Sequence, residues 1–129
     1  MDEPSDPVGF KFGDSRALNA RLIDLVRQGF KTASCGALRD FEAEGEPLPE
    51  PGRRDIAMDW DGKPALVIET TEVTLCRFRD VPEEFALAEG EGDFETWRRA
   101  HIDFFTRNGG YDPDMMLVCE RFRLIRILT

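Results

Sequence analysis

Ile56-Ala57-Met58-Asp59-Trp60-Asp61-Gly62-Lys63-Pro64-Ala65-Leu66-Val67-Ile68-Glu69-Thr70-Thr71-Glu72-Val73 holds two apolar runs on either side of an Asp-Gly dipeptide. Asp-Gly between two such runs is a strong hairpin signal, so the stretch predicts a β-hairpin. In the second run Ala65, Val67, Glu69 and Thr71 share one face, and Leu66, Ile68, Thr70 and Glu72 share the other. Alternation along a strand sends successive side chains to opposite faces. Both faces are apolar near the start of the run, which predicts a central strand covered on both sides.

Working backward, Pro47, Pro49, Pro51 and Gly52 mark a surface loop over 45–52, and 36–46 has room for a short helical turn. Phe30-Lys31-Thr32-Ala33-Ser34-Cys35 leaves helical periodicity and reads as a short strand or extended turn. Before it, Leu18, Leu22, Leu25 and Val26 recur at helical spacing, with Asp14 or Ser15 as the N-cap and Gly29 as the stop. A helix over 15–28 follows. Residues 1–12 read as an acidic, Pro-containing lead-in, loosely attached.

Working forward, Leu75 to Val81 reads as strand and turn, and Pro82 opens a short helix through Ala88. Glu89-Gly90-Glu91-Gly92 breaks that helix, and Asp93 caps another that carries Phe94, Trp97, His101, Phe104 and Phe105 on one broad face. Asn108-Gly109-Gly110 ends it, Tyr111 to Asp114 turns, and Met115 to Leu128 reads as a closing strand or strand pair. The order predicts an α+β domain, a small barrel with helices packed outside. With 129 residues, one domain over 1–129 is expected.

Composition narrows the chemistry. Seventeen Lys and Arg against 26 Asp and Glu give a net charge of −9, which works against a dedicated duplex-DNA binder. No run of about 18 apolar residues exists, and the N-terminus lacks the basic and then apolar segments of a secretory leader. The expected address is the cytoplasm, without a membrane partner. Three spaced cysteines, Cys35, Cys76 and Cys119, form no CxxC pair, and His101 is the single histidine. That pattern fits neither a disulfide framework nor a structural zinc site.

His101, on the aromatic face, reads first as a packing residue. Cys35, near Lys31, has a thiolate reading beside the blander one, while Cys76 and Cys119 read as inert core. Lys31, Thr32 and Ser34 form the more informative cluster. A lysine freed of its proton by burial can activate a serine for acyl transfer. Strand alternation, however, puts Ser34 and Lys31 on opposite faces unless the segment turns. A solvated lysine with two ordinary hydroxyls is the alternative. The elbow from Glu89 to Asp93 is explained as a helix stop and an N-cap, except for Glu89; a metal held by Glu89, Glu91 and Asp93 lacks EF-hand spacing.

Together, Gly29-x-Lys31-Thr32-x-Ser34, the run from Val67 to Val73, Ala86-x-x-Glu89-Gly90-Glu91-Gly92-Asp93, Trp97, His101, Phe104-Phe105 and Val118-Cys119-Glu120-Arg121-Phe122 resemble the ASCH domain over roughly residues 12–128. The resemblance implies a PUA-like β-barrel with flanking helices. ASCH proteins were proposed to bind RNA through a cleft lined by the Gly-x-Lys-Thr region; others are described as ribonucleases, and smaller members as amidohydrolases of N4-acetylcytidine. In the amidohydrolases a Lys, a Thr three residues later and a Glu before the second helix carry catalysis. These match Lys31, Ser34 in place of the Thr, and Glu89. The serine keeps the hydroxyl and drops a methyl. A second departure is the longer segment over 36–54, which carries Arg39, Arg53 and Arg54.

The resemblance thus implies an amidohydrolase for an N-acylated pyrimidine nucleoside. Lys31, Ser34 and Glu89 are its catalytic candidates, Thr32, Arg39, Arg53 and Glu69 its substrate contacts, and neither metal nor cofactor is required. The alternative is an RNA-binding or ribonuclease module that meets phosphates through Lys31, Arg39, Arg53 and Arg54. A third reading is a cleft that recognises a modified base without chemistry.

Overall fold

The computed structural model describes residues 8–128. Its strands are β1 (Val8–Phe10), β2 (Ala33–Ala37), β3 (Arg54–Met58), β4 (Pro64–Arg77) and β5 (Met116–Ile127). Its α-helices are α1 (Arg16–Arg27), α2 (Leu38–Glu44), α3 (Glu83–Ala88) and α4 (Phe94–Arg107), with a 3-10 turn at Phe78–Asp80. The strands form one sheet in the order β1-β3-β4-β5-β2, curled as a half-barrel with the helices packed against it. The mixed α+β class is the one the sequence predicts.

The hairpin forms where Asp-Gly places it. Asp59 Oδ1 accepts from the backbone N–H groups of Asp61 at 3.0 Å and Lys63 at 2.9 Å, and Gly62 takes φ +86°. A side-chain carboxylate that binds the backbone two residues on is a standard way to hold a tight turn. β4 is central, between β3 and β5. It runs unbroken to Arg77, with a register shift between Thr70 and Glu72. The closing segment is a single strand, β5, long enough to pair with both β4 and β2.

Ser15 caps α1 by accepting from Leu18 N–H at 3.2 Å. The helix buries Leu22, Ile23 and Val26 in one apolar cluster with Phe12, Leu66, Ile68 and Phe122. A second cluster joins α3 and α4 to the sheet through Phe85, Trp97, Phe105 and Leu117.

The loosely attached lead-in is corrected for residues 8–12; residues 1–7 lie outside those described. β1 pairs in parallel with β3, Val8 opposite Asp55 and Phe10 opposite Ala57. Phe12 is buried, and Asn19 Nδ2 donates to Phe12 O at 2.9 Å and Met58 O at 3.3 Å, tying the lead-in to α1 and the hairpin. Parallel pairing across more than forty residues leaves no local sequence signal.

Candidate functional site

The strap from Phe30 to Thr32 leaves α1 and lies along the end of α3. Phe30 N–H and Lys31 N–H both donate to Leu25 O, at 2.9 and 3.1 Å, and Thr32 N–H donates to Ala88 O at 2.8 Å. Gly90, at φ +77°, closes the contact; a Cβ there would stand 2.5 Å from Phe30 O, so only glycine fits. Backbone packing therefore brings Lys31 and Glu89 together across 58 residues of chain.

Lys31 and Glu89 are 2% and 1% exposed. Lys31 Nζ donates to Glu89 Oε1 at 3.2 Å, stands 3.8 Å from Glu91 Oε2, and lies 5.8 Å from the centre of the Phe12 ring. A charge buried this deeply persists only with a partner. Glu89 Oε2 accepts from Trp97 Nε1 at 2.8 Å, and Oε1 lies 3.5 Å from His101 Nε2. Burial opposes ionisation of Glu89. The Lys31 charge, the hydrogen bond and charge of His101, and the Trp97 indole outweigh it and hold the carboxyl at about 2.

Geometry assigns the protons of His101. Its Nδ1 is 2.8 Å from Trp97 O, an acceptor only, so Nδ1 carries a hydrogen. Its Nε2 faces the Glu89 carboxylate, whose charge favours a hydrogen there as well. Burial works against the doubly protonated ring, yet the hydrogen bond and charge of Glu89 and the charge of Glu91 raise the imidazole above its ordinary value. The packing expectation for His101 is met by its stack on Trp97, with centroids 4.4 Å apart. Sequence reasoning missed its second face, on Glu89. The i, i+4 spacing of Trp97 and His101, directly after the elbow, was the available signal.

Ser34 lines the same cleft of about 580 Å³ as Lys31, Glu89, Glu91, His101 and Glu120. α1 residues form one wall and α4 residues another. Among the described residues no hydrogen bond joins Ser34 to Lys31. Ser34 is paired across the sheet with Glu120 on β5, which sequence reasoning also missed. Cys35 is not an activated thiol: burial pushes it well up, and the Glu89 charge pushes the same way.

The remaining candidates fall elsewhere. Thr32 is exposed, its hydroxyl 3.5 Å from Ala88 O. Arg39 donates to Gly110 O at 2.6 Å and Asn108 O at 3.3 Å, fastening the C-terminal end of α4. Arg53 forks onto Asp55 Oδ2 at 3.1 and 2.9 Å. Glu69 is held between Arg54 and Arg123, at 3.0 and 2.9 Å. None of these four lines the cleft; each has found an intramolecular partner that spacing does not reveal.

Cys35, Glu89 and His101 offer sulfur, oxygen and nitrogen atoms all within 4.8 Å of one another. They fit a metal poorly. Lys31 Nζ already stands at Glu89 Oε1, burial pushes the Cys35 thiol well up, and the carbonyl of Trp97 at 2.8 Å calls for a hydrogen on His101 Nδ1. Metal ligands must be deprotonated. Among the described residues, no helix is long and apolar enough to cross a membrane.

The family model described as the ASCH domain matches residues 9–126. The chain belongs to the ASCH domain family. Its fold superposes on an ASCH domain from Lactobacillus crispatus JV V101 with TM-score 0.84 and 34% identity, covering 91% of this chain and 78% of that one. The protein EF3133 from Enterococcus faecalis V583 gives TM-score 0.88 and 36% identity, covering 100% and 82%. A point mutant of the ZmASCH protein from Zymomonas mobilis shares the ASCH fold at TM-score 0.58 and 12% identity, covering 95% and 73%. No protein of curated function matches the chain. The PUA-like architecture expected of an ASCH domain is thereby established.

Proposed function

We propose that this ASCH-domain protein is an amidohydrolase acting on an N-acylated pyrimidine nucleoside, of the kind represented by N4-acetylcytidine. The observation that supports it is the buried Lys31–Glu89 pair, which shares one cleft with the Ser34 hydroxyl.

In this reading Lys31, paired with Glu89 at rest, first gives up a proton to solvent and then acts as the base. Its flexible stem swings Nζ from Glu89 toward Ser34, and the amine takes the Oγ proton as Oγ attacks the acyl carbon. The C–N bond then breaks, and the new Lys31 ammonium protonates the departing amine. Water attacks the acyl-serine ester, passing a proton to Lys31 and then back to Ser34 as the carboxylic acid leaves. Glu89, fixed by Trp97 and His101, holds Lys31 before the swing and receives it back afterwards. No cofactor takes part in this scheme.

The cleft favours a small neutral substrate over a polyanion. Arg39, Arg53 and Arg54, the phosphate contacts of an RNA-binding alternative, are committed to carbonyl and carboxylate oxygens of the protein itself. The net charge of −9 points the same way. We place the activity in the cytoplasm, where free nucleosides are met.

Purified protein incubated with N4-acetylcytidine should release cytidine, detected by chromatography. Lys31→Ala and Glu89→Gln, both shown to be folded, should abolish release. Wild-type protein that leaves the substrate intact refutes the proposal.

A further inference from the structure

Glu120 lines the same cleft as the Lys31–Glu89 pair and plays no part in the mechanism above. Four strands place its surroundings on one face of the sheet. Asp55 pairs with Ile68, Thr70 with Phe122, and Glu120 with Ser34. Residues directly opposite in an antiparallel ladder have Cβ atoms about 5 Å apart.

Glu120 is held at one oxygen only. Thr70, 1% exposed, donates its hydroxyl to Glu120 Oε2 at 2.5 Å. Among the described residues, Oε1 receives no hydrogen bond. Behind it stands the buried Asp55, whose Oδ2 is taken by Arg53 and whose Oδ1 has no partner. Two carboxyl groups and one guanidinium thus make up this corner. It is short of donors, so it suits a ligand's N–H or O–H and repels a carbonyl or a phosphate.

The cross-strand pairing with Ser34 points to which donor. A substrate whose acyl carbon rests on Ser34 Oγ carries its amide nitrogen one bond away, within reach of the residue paired with Ser34. Ribose hydroxyls of a nucleoside lie several bonds farther off. We infer that Glu120 accepts a hydrogen bond from the N–H of the amide that Ser34 attacks, and so selects secondary amides over fully substituted ones. This inference rests on the amidohydrolase reading and adds a specificity-determining residue to it.

The test compares N4-acetylcytidine with its N4-methyl derivative, which lacks that N–H, in the wild type, Glu120→Ala and Glu120→Gln. The ratio of kcat/KM values in the wild type should favour the N–H substrate by about ten- to a hundredfold, as expected for one hydrogen bond to a charged group. Glu120→Ala should reduce the ratio to whatever the methyl group's bulk alone imposes, and Glu120→Gln, which keeps an acceptor oxygen, should retain part of it. Glu120→Met, which fills the space without an acceptor, replaces the alanine variant if that one does not fold. The same ratio between wild type and variant overturns the inference alone. Wild-type protein that turns over neither compound, whether or not it binds them, overturns the amidohydrolase reading and this inference with it.

Discussion

His101 stacks on Trp97, one helical turn before it, and its Nδ1 is bonded to the Trp97 carbonyl oxygen at 2.8 Å. That bond fixes one proton on the ring and turns Nε2 toward Glu89. His101→Gln is expected to lower turnover by about tenfold or more, since a hydrogen bond to a charged group is worth about 1.5–3 kcal/mol. The imidazole C–H resonances followed against pH provide the check. Titration at or below the ordinary value of 6.5 would exclude the clamped imidazolium.

Removing both members of the buried pair should cost less than the two single removals added together. Lys31→Met leaves Glu89 without its cation, and Glu89→Gln leaves Lys31 with Glu91 alone, 3.8 Å away. Breaking a buried ion pair from one side costs about 3–5 kcal/mol. The double variant should be less destabilised than the sum of the two single ones, as read from denaturant unfolding. Additive losses would show that the two side chains do not act as a pair.

Acid should weaken the fold through Glu89. Its folded value of about 2 lies below the ordinary 4.5, so the unfolded chain binds the proton more readily. The contribution, on the order of 3 kcal/mol, is complete above 4.5 and is lost as pH falls toward 2. His101 has the opposite sign: its raised value stabilises below 6.5 and is lost as pH rises through the folded value. Unfolding midpoints measured across pH should show both flanks, with the alkaline one removed in His101→Gln. A wild-type midpoint that stays level from pH 5 to 2 contradicts this assignment.

Arg39→Ala should destabilise by about 1 kcal/mol or slightly more, because it frees the carbonyl groups of Asn108 and Gly110 at the end of α4. Affinity for cytidine should be unchanged in the folded variant. A loss of affinity with unaltered melting would restore Arg39 as a ligand contact.

The elements with local signals were legible in the sequence. Ser15 and Asp93 cap α1 and α4 as their side-chain chemistry predicts, and Asp61-Gly62 turns the hairpin. Lys31, Ser34 and Glu89 were singled out, and all three line the cleft. What stayed hidden was pairing at long range. The Lys31–Glu89 contact depends on the strap that Thr32 and Gly90 press against α3, and Arg39 reaches across 71 residues to Gly110. A charge in a sequence names a capacity; only the fold decides which oxygen takes it up.

β1 contributes three residues to the sheet, yet its position gives them weight beyond their number. They cover the outer side of β3, whose N–H and C=O groups would otherwise face solvent in a row beside the buried Ala57. A shortened chain starting near Gly13 would therefore carry a bare strand border and would also lack Phe12. Such borders recruit other strands. Trimming the start of this protein would then change how it associates with itself, turning a capped half-barrel into a template for end-to-end joining.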